Sequence, residues 1–234
     1  MRMFETRRPL LLLFTLTLMM FTQSFQTLRA DTAAAKRVTT FTLANGLQVL
    51  VVPHHEQPAV SYRLLIKAGA VQEPASKPGV AGFVAALLSQ GTTTKSAGEI
   101  ATLIDSAGGI QGTGSGNELS FVSGAVIKDR TDLALGLAAD MVQNPAFAPA
   151  EIDRQRRQVL SSLQVNYDDP DFIASLVFQR LIFGFHPYGR PTTPESVSRI
   201  TRDDLAEFHR TWFVPNNALL AIVGDLSSDE AFAA

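Results

Sequence analysis

His54-His55-Glu56 is the densest run of groups in this chain able to hold a metal or move a proton. Its spacing is poor for either task. Adjacent histidines in an extended segment point to opposite faces, so they cannot chelate one ion together. The other two histidines, His186 and His209, lie far along the sequence, and no two histidines have the i, i+4 spacing of a helical zinc pair. With no cysteine in the chain, disulfides, thiolate metal sites and a cysteine nucleophile are excluded together. Gly112-x-Gly114-x-Gly116 has the look of a phosphate loop, but no helix follows it to offer its N-terminus. Arg154, Arg156 and Arg157 fall along one long helical stretch and read as a solvated face.

The elements that would position any such chemistry are readable. Val38–Leu43 and Leu47–Val52 flank Asn45-Gly46, the signature of a β-hairpin, and Pro53–Pro58 is a loop carrying the two adjacent histidines. A third strand runs over Val60–Ala68. Gly79 to Thr92 then reads as a helix with an almost wholly apolar interior, opened by Pro78-Gly79 and closed by Gly91. A helix apolar all round belongs in a core. Ser96-x-x-Glu99 is a capping box for a second helix, stopped by Gly108-Gly109. Ile110–Gly116 and Leu119–Ile127 form a second hairpin, its first strand rich in glycine. Helices follow over Asp132–Gln143, Ala150–Tyr167, Phe172–Phe183 and Thr201–Trp212, and a last strand over Ala218–Val223. Strands first, helices next and a returning strand make an α+β order.

Arg2, Arg7 and Arg8 precede an apolar run from Pro9 to Phe21, followed by a polar stretch ending near Ala30. This is the pattern of a secretory signal peptide over residues 1–30, with 31–37 as a linker; the apolar run is short for a membrane span. The expected product is exported, most naturally to a periplasm, with no membrane span after cleavage. Cleavage there removes four Arg and one Glu, leaving a net charge of −5 and no basic patch, so nucleic acid is not an expected partner.

The frame Gly79-x-Ala81-x-Phe83 followed by Gly91-Thr92 resembles the active-site helix of the pitrilysin/insulinase family of zinc peptidases, whose inverted motif is His-x-x-Glu-His. The Asn45-Gly46 hairpin, Gly108-Gly109, His186-Pro187-Tyr188-Gly189, Pro215-Asn216-Asn217 and Val223-Gly224-Asp225 follow in the family's order, so the likeness covers about Thr39 to Asp225. The resemblance implies a mostly antiparallel sheet with helices packed on one face, the N-terminal domain of such a peptidase over residues 38–234, without the second domain. It also implies that the two histidine ligands fall on Gly82 and Ala86, and the general base on Ala85. The distant carboxylate falls on Ser162, or on Ser161 if the register slips by one. None of these can hold Zn²⁺ or activate water, so no cofactor is expected although the family's is zinc. The family's substrate-pairing edge strand falls on Gln111-Gly112, where main-chain pairing with a peptide survives loss of the chemistry.

The resemblance therefore implies an exported, non-catalytic homologue that binds peptide beside a zinc-bearing relative or a missing second domain. Two alternatives stay open at this point: an active metallopeptidase with ligands elsewhere among His54, His55, Glu56, His186 and His209, and a truncated fragment.

Overall fold

The computed structural model describes residues 38–233; the expected signal peptide and linker lie outside them. Strands β1 (Thr39–Thr42) and β2 (Gln48–Pro53) pair antiparallel across the Asn45-Gly46 turn. Gly46 takes φ +89° there, and Asn45 Oδ1 accepts the Leu47 N–H at 3.1 Å. β3 (Ala59–Ile66), β4 (Ile110–Ser115), β5 (Ser120–Ile127) and β6 (Ala218–Gly224) complete one six-stranded sheet in the order β1-β2-β6-β3-β5-β4. All pairings are antiparallel except β2 with β6. β6, an almost continuous apolar run, enters between β2 and β3. At its end a Cβ on Gly224 would lie 2.2 Å from the Ala59 carbonyl oxygen, so only glycine fits.

Alternation along the strands sends Val49, Val51, Val60, Tyr62, Val122, Val126 and Ile222 inward, all nearly or fully buried. Eight helices complete the described residues: α1 (Val80–Leu88), α2 (Ala97–Ser106), α3 (Thr131–Gln143), α4 (Pro149–Asn166), α5 (Pro170–Phe183), α6 (Pro194–Arg199), α7 (Arg202–Trp212) and α8 (Ser228–Ala233). Of these α1, α2, α3 and α8 lie against the sheet, α4 and α7 pack on α1, α6 packs on α4, and α5 contacts the Pro187–Gly189 turn. Two apolar clusters result. One lies between the sheet and α3, around Met141 and Val51; the other surrounds α1, with Phe83, Leu87, Leu205 and Phe208. Burying a side chain such as Phe83 or Leu87 contributes about 1.5–3 kcal/mol each, so α1 holds the second cluster together.

The capping boxes at Ser96/Glu99 and Thr201/Asp204 form as expected. The α1 helix ends at Leu88, three residues short of Gly91, which instead takes φ +120° in a bridge to Ser96. Pro149 and Pro170 stand in the first turns of α4 and α5; Pro149 starts its helix where expected, and Pro170 starts α5 ahead of Phe172. The sequence reading missed α6 and α8, each only six residues long. It also placed Arg156 on a solvated face. The side chain is half-buried and donates to the carbonyls of Val197 (3.4 Å) and Ile200 (2.7 Å), capping the C-terminus of α6.

Candidate functional site

The α1 helix has no side chain of its own able to cap its start, because its N-cap is Gly79 at φ +107°. A carboxylate six residues upstream takes that part. Glu73 accepts the Gly79 N–H at 2.9 Å and the Ala81 N–H at 2.8 Å. Burial pushes the Glu73 carboxyl above its ordinary range, against the pull of those two bonds and of the Arg190 charge. The sequence reading passed over Glu73. An acid in the polar loop ahead of an uncapped apolar helix was the signal available.

Seven of the nine α1 residues are buried, and Gly82 is the exposed exception. It opens onto a groove of about 360 Å³ between α1 and α4, lined among others by Gln155, Gln158, Ser162 and Thr192. A Cβ built on Gly82 meets nothing within 4 Å. Thus two of the four positions singled out by resemblance, Gly82 and Ser162, lie on one groove. Ala86 is half-buried and Ala85 fully buried, and neither lines it. The groove's side chains are neutral amides, hydroxyls and apolar groups. Zn²⁺ wants imidazole, thiolate or carboxylate donors, so the residues present do not fit that ion.

The histidines do not converge. His54 stands 3.8 Å from Glu56 on an exposed loop, and His55 Nδ1 lies 2.6 Å from Asp225 Oδ1. His209 Nε2 lies 2.7 Å from the Val142 carbonyl, and His186 Nδ1 accepts the Tyr188 N–H within its turn. Burial pulls His209 below the usual histidine range. Among the described residues, no three of His, Cys, Asp and Glu gather as a metal-holding group.

β4 is the outermost strand at its end of the sheet, so Gln111 and Gly112 lie on an edge. Gln111 donates to the Tyr62 hydroxyl at 3.2 Å; burial raises the Tyr62 pKa to about 12, with that bond opposing. Beside the strand runs a groove of about 530 Å³, walled by Ile100 and Ile104 of α2, Ser89 and Gln90 after α1, and Gln111 and Gly112. Not every glycine here serves an approaching chain. A Cβ on Gly114 would sit 2.7 Å from the Phe121 ring, so a larger residue there would have to displace that side chain. Gly112 differs: its nearest neighbour would be Ser123 Oγ at 3.9 Å. The Gly112-x-Gly114-x-Gly116 run is strand and turn, with no helix behind it.

Residues 48–193 match the family described as Insulinase (Peptidase family M16), and residues 199–234 match the family's inactive domain. An uncharacterised zinc protease of Mycobacterium leprae is 32% identical over 194 residues, covering 82% of this chain and 44% of that protein. One of Rickettsia bellii is 30% identical over 190 residues, covering 80% and 46%. The chain spans about half the length of these relatives. Among solved structures, a peptidase M16 inactive domain from Pseudomonas fluorescens is 31% identical with a TM-score of 0.80, covering 84% of this chain and 48% of that one. The periplasmic protease PqqL of Escherichia coli shares the fold at 22% identity and TM-score 0.76, over 85% of this chain and 23% of its own.

Proposed function

Because the chain belongs to the insulinase (M16) family of peptidases, we propose that it is an exported, non-catalytic member that binds peptide along the β4 edge and works beside a zinc-bearing relative or a second family domain. The observation that carries this reading is the pairing of Gly82 with Ser162 on one groove. Two of the three positions that resemblance assigns to metal ligands face the same space, and they bring a hydrogen and a neutral hydroxyl to it. With methyl groups at Ala85 and Ala86, there is no base to activate water and no set of donors for zinc.

Peptide binding needs neither. An extended peptide adding to β4 gains main-chain hydrogen bonds from the edge, and alternate side chains fall into the groove against Ile100 and Ile104. No described helix is long and apolar enough to cross a membrane. Export to the periplasm is supported by the Arg2-to-Ala30 pattern at the start of the sequence.

Two measurements test this. Elemental analysis after dialysis should find no stoichiometric zinc, and zinc retained by the wild-type chain would overturn the non-catalytic reading. Fluorescence anisotropy with labelled ten-residue extended peptides should show saturable binding. Gly112→Lys, which sets a charge on the exposed edge, should weaken it at least ~10-fold; unchanged affinity would take β4 out of the proposal.

A further inference from the structure

Helix α2 ends against its own electrostatics. The C-terminal end of a helix dipole is negative and is ordinarily met by lysine or arginine. The last turn of α2 holds no basic residue and carries Asp105 instead. Ala97, Ile100, Ala101, Ile104 and Asp105 recur at helical spacing, and all five line the groove beside β4. Among the described residues Asp105 is the one charged side chain in that lining, and it is exposed. No ion pair among the described residues involves it. Arg154 donates to Gln90 on the groove's wall, but its charge is met by Glu151 at 2.8 Å. The groove therefore keeps an unanswered negative charge at the end of α2.

The open edge of β4 sets a second condition. The Gly116 N–H donates to the Leu119 carbonyl at 2.8 Å, and β4 pairs onward with β5 from Ser115 opposite Ser120 to Ile110 opposite Ala125. In an antiparallel pair, successive residues alternate between spending their backbone groups on the partner and turning them away. Counting back from Gly116, it is Gly114, Gly112 and Ile110 that bond β5. Gln111 and Thr113 turn their N–H and C=O to the open side. Those groups call for another main chain, and the carboxylate beside them calls for a cation. We infer that this groove selects extended peptides carrying a basic side chain, lysine or arginine, set against Asp105 and the end of α2; the inference rests on the β4-edge reading above and adds the class of peptide. Strand alternation sends every second peptide side chain towards α2, so the basic residue and apolar residues two positions away share the wall of Ile100, Ile104 and Asp105. A free metal ion would find a single carboxylate there and leave the edge unpaired.

The test is fluorescence anisotropy on the chain lacking residues 1–30, with ten-residue extended peptides identical but for one central lysine, norleucine or glutamate. At low salt the lysine peptide should bind about 3- to 10-fold tighter than the norleucine peptide, the scale of one ion pair joined to a helix end. The glutamate peptide should bind weakest, and the preference should fade in ~1 M salt. Asp105→Asn should bring the lysine peptide to the level of its norleucine counterpart, and Asp105→Lys should turn the preference towards glutamate. Both variants should keep the wild-type circular dichroism spectrum and melt no lower than wild type, since each removes a negative charge from the negative end of α2. A purely structural Asp105 would lose stability in both. Equal affinity for lysine and norleucine, or a preference that survives Asp105→Asn, would overturn the inference and leave binding at the β4 edge standing. If none of the three peptides binds, the β4-edge reading falls and the inference with it.

Discussion

At the scale of single residues, Gly82 carries most of the argument. Glycine inside a helix costs about 0.5–1 kcal/mol against alanine, and nothing here crowds a Cβ. Gly82→Ala should therefore stabilise the chain by about that amount in urea denaturation; a loss would mean that the groove is occupied. Ala85 is the opposite case. It is fully buried, so the triple substitution Gly82→His, Ala85→Glu and Ala86→His should cost at least about 2 kcal/mol, from the carboxylate it buries. By calorimetric titration the triple variant should bind zinc only weakly, since a tight site wants three protein ligands and it supplies two. Adding Ser162→Glu should tighten zinc binding at least ~10-fold. Equal affinity with and without that change would show that Ser162 is not the third ligand position. These positions were legible only through the family frame, because a glycine and two alanines in an apolar helix announce nothing by themselves. Glu73 was missed for a different reason: what matters is its reach to Gly79 and Ala81, and reach is set by a loop path that has no period.

Among the elements, the link between α1 and α2 is pinned by one carboxylate. Asp140 on α3 accepts from Thr92 (2.9 Å), Thr94 (3.1 Å), Lys95 (3.1 Å) and Asn144 (3.0 Å). Burial pushes its pKa up, and the bonds from Asn144, Lys95, Thr92 and Thr94 outweigh this, bringing it down to about 2. A carboxyl depressed on folding contributes stability that is whole above its unfolded value near 3.8 and is lost as pH falls through about 2. Asp140→Ala should lose about 2 kcal/mol at neutral pH, by urea denaturation, and the loss should shrink through that acid window. Local chemistry made the hairpin at Asn45-Gly46 and the boxes at Ser96 and Thr201 readable, since each is complete within four residues. The α6 helix was missed although Thr193 and Ser196 form the same kind of box, because six residues cannot show a helical period. Nor could the pattern reveal that β6 lies parallel to β2. Alternation tells which face a strand buries and says nothing of which distant strand it joins.

At the scale of the whole molecule, stability has to come from the two apolar clusters and the sheet face on which both lie. The helix expected over Phe172–Phe183 forms, and although it is mostly apolar none of its side chains is buried among the described residues; no local pattern tells it from a core helix. The same accounting gives a test of whether this chain holds zinc. A metal that binds the folded state alone stabilises by RT ln(1 + [L]/Kd), so removing a tightly held ion lowers the melting temperature visibly. Here the groove at Gly82 and Ser162 presents no imidazole, thiolate or carboxylate donor, and the clusters around Met141 and Phe83 are built from apolar and aromatic side chains. The melting temperature should thus stay within about 1 °C when EDTA is added in excess, and again when zinc is restored. Scanning calorimetry on the chain lacking residues 1–30 reads this directly, and the Gly82→His, Ala85→Glu, Ala86→His, Ser162→Glu variant serves as the positive control. A wild-type chain that melts several degrees lower in EDTA and recovers with zinc holds the metal through residues other than these. In that event substitution of His54 and His55 together, followed by the same scan, would show whether their loop is where the metal sits.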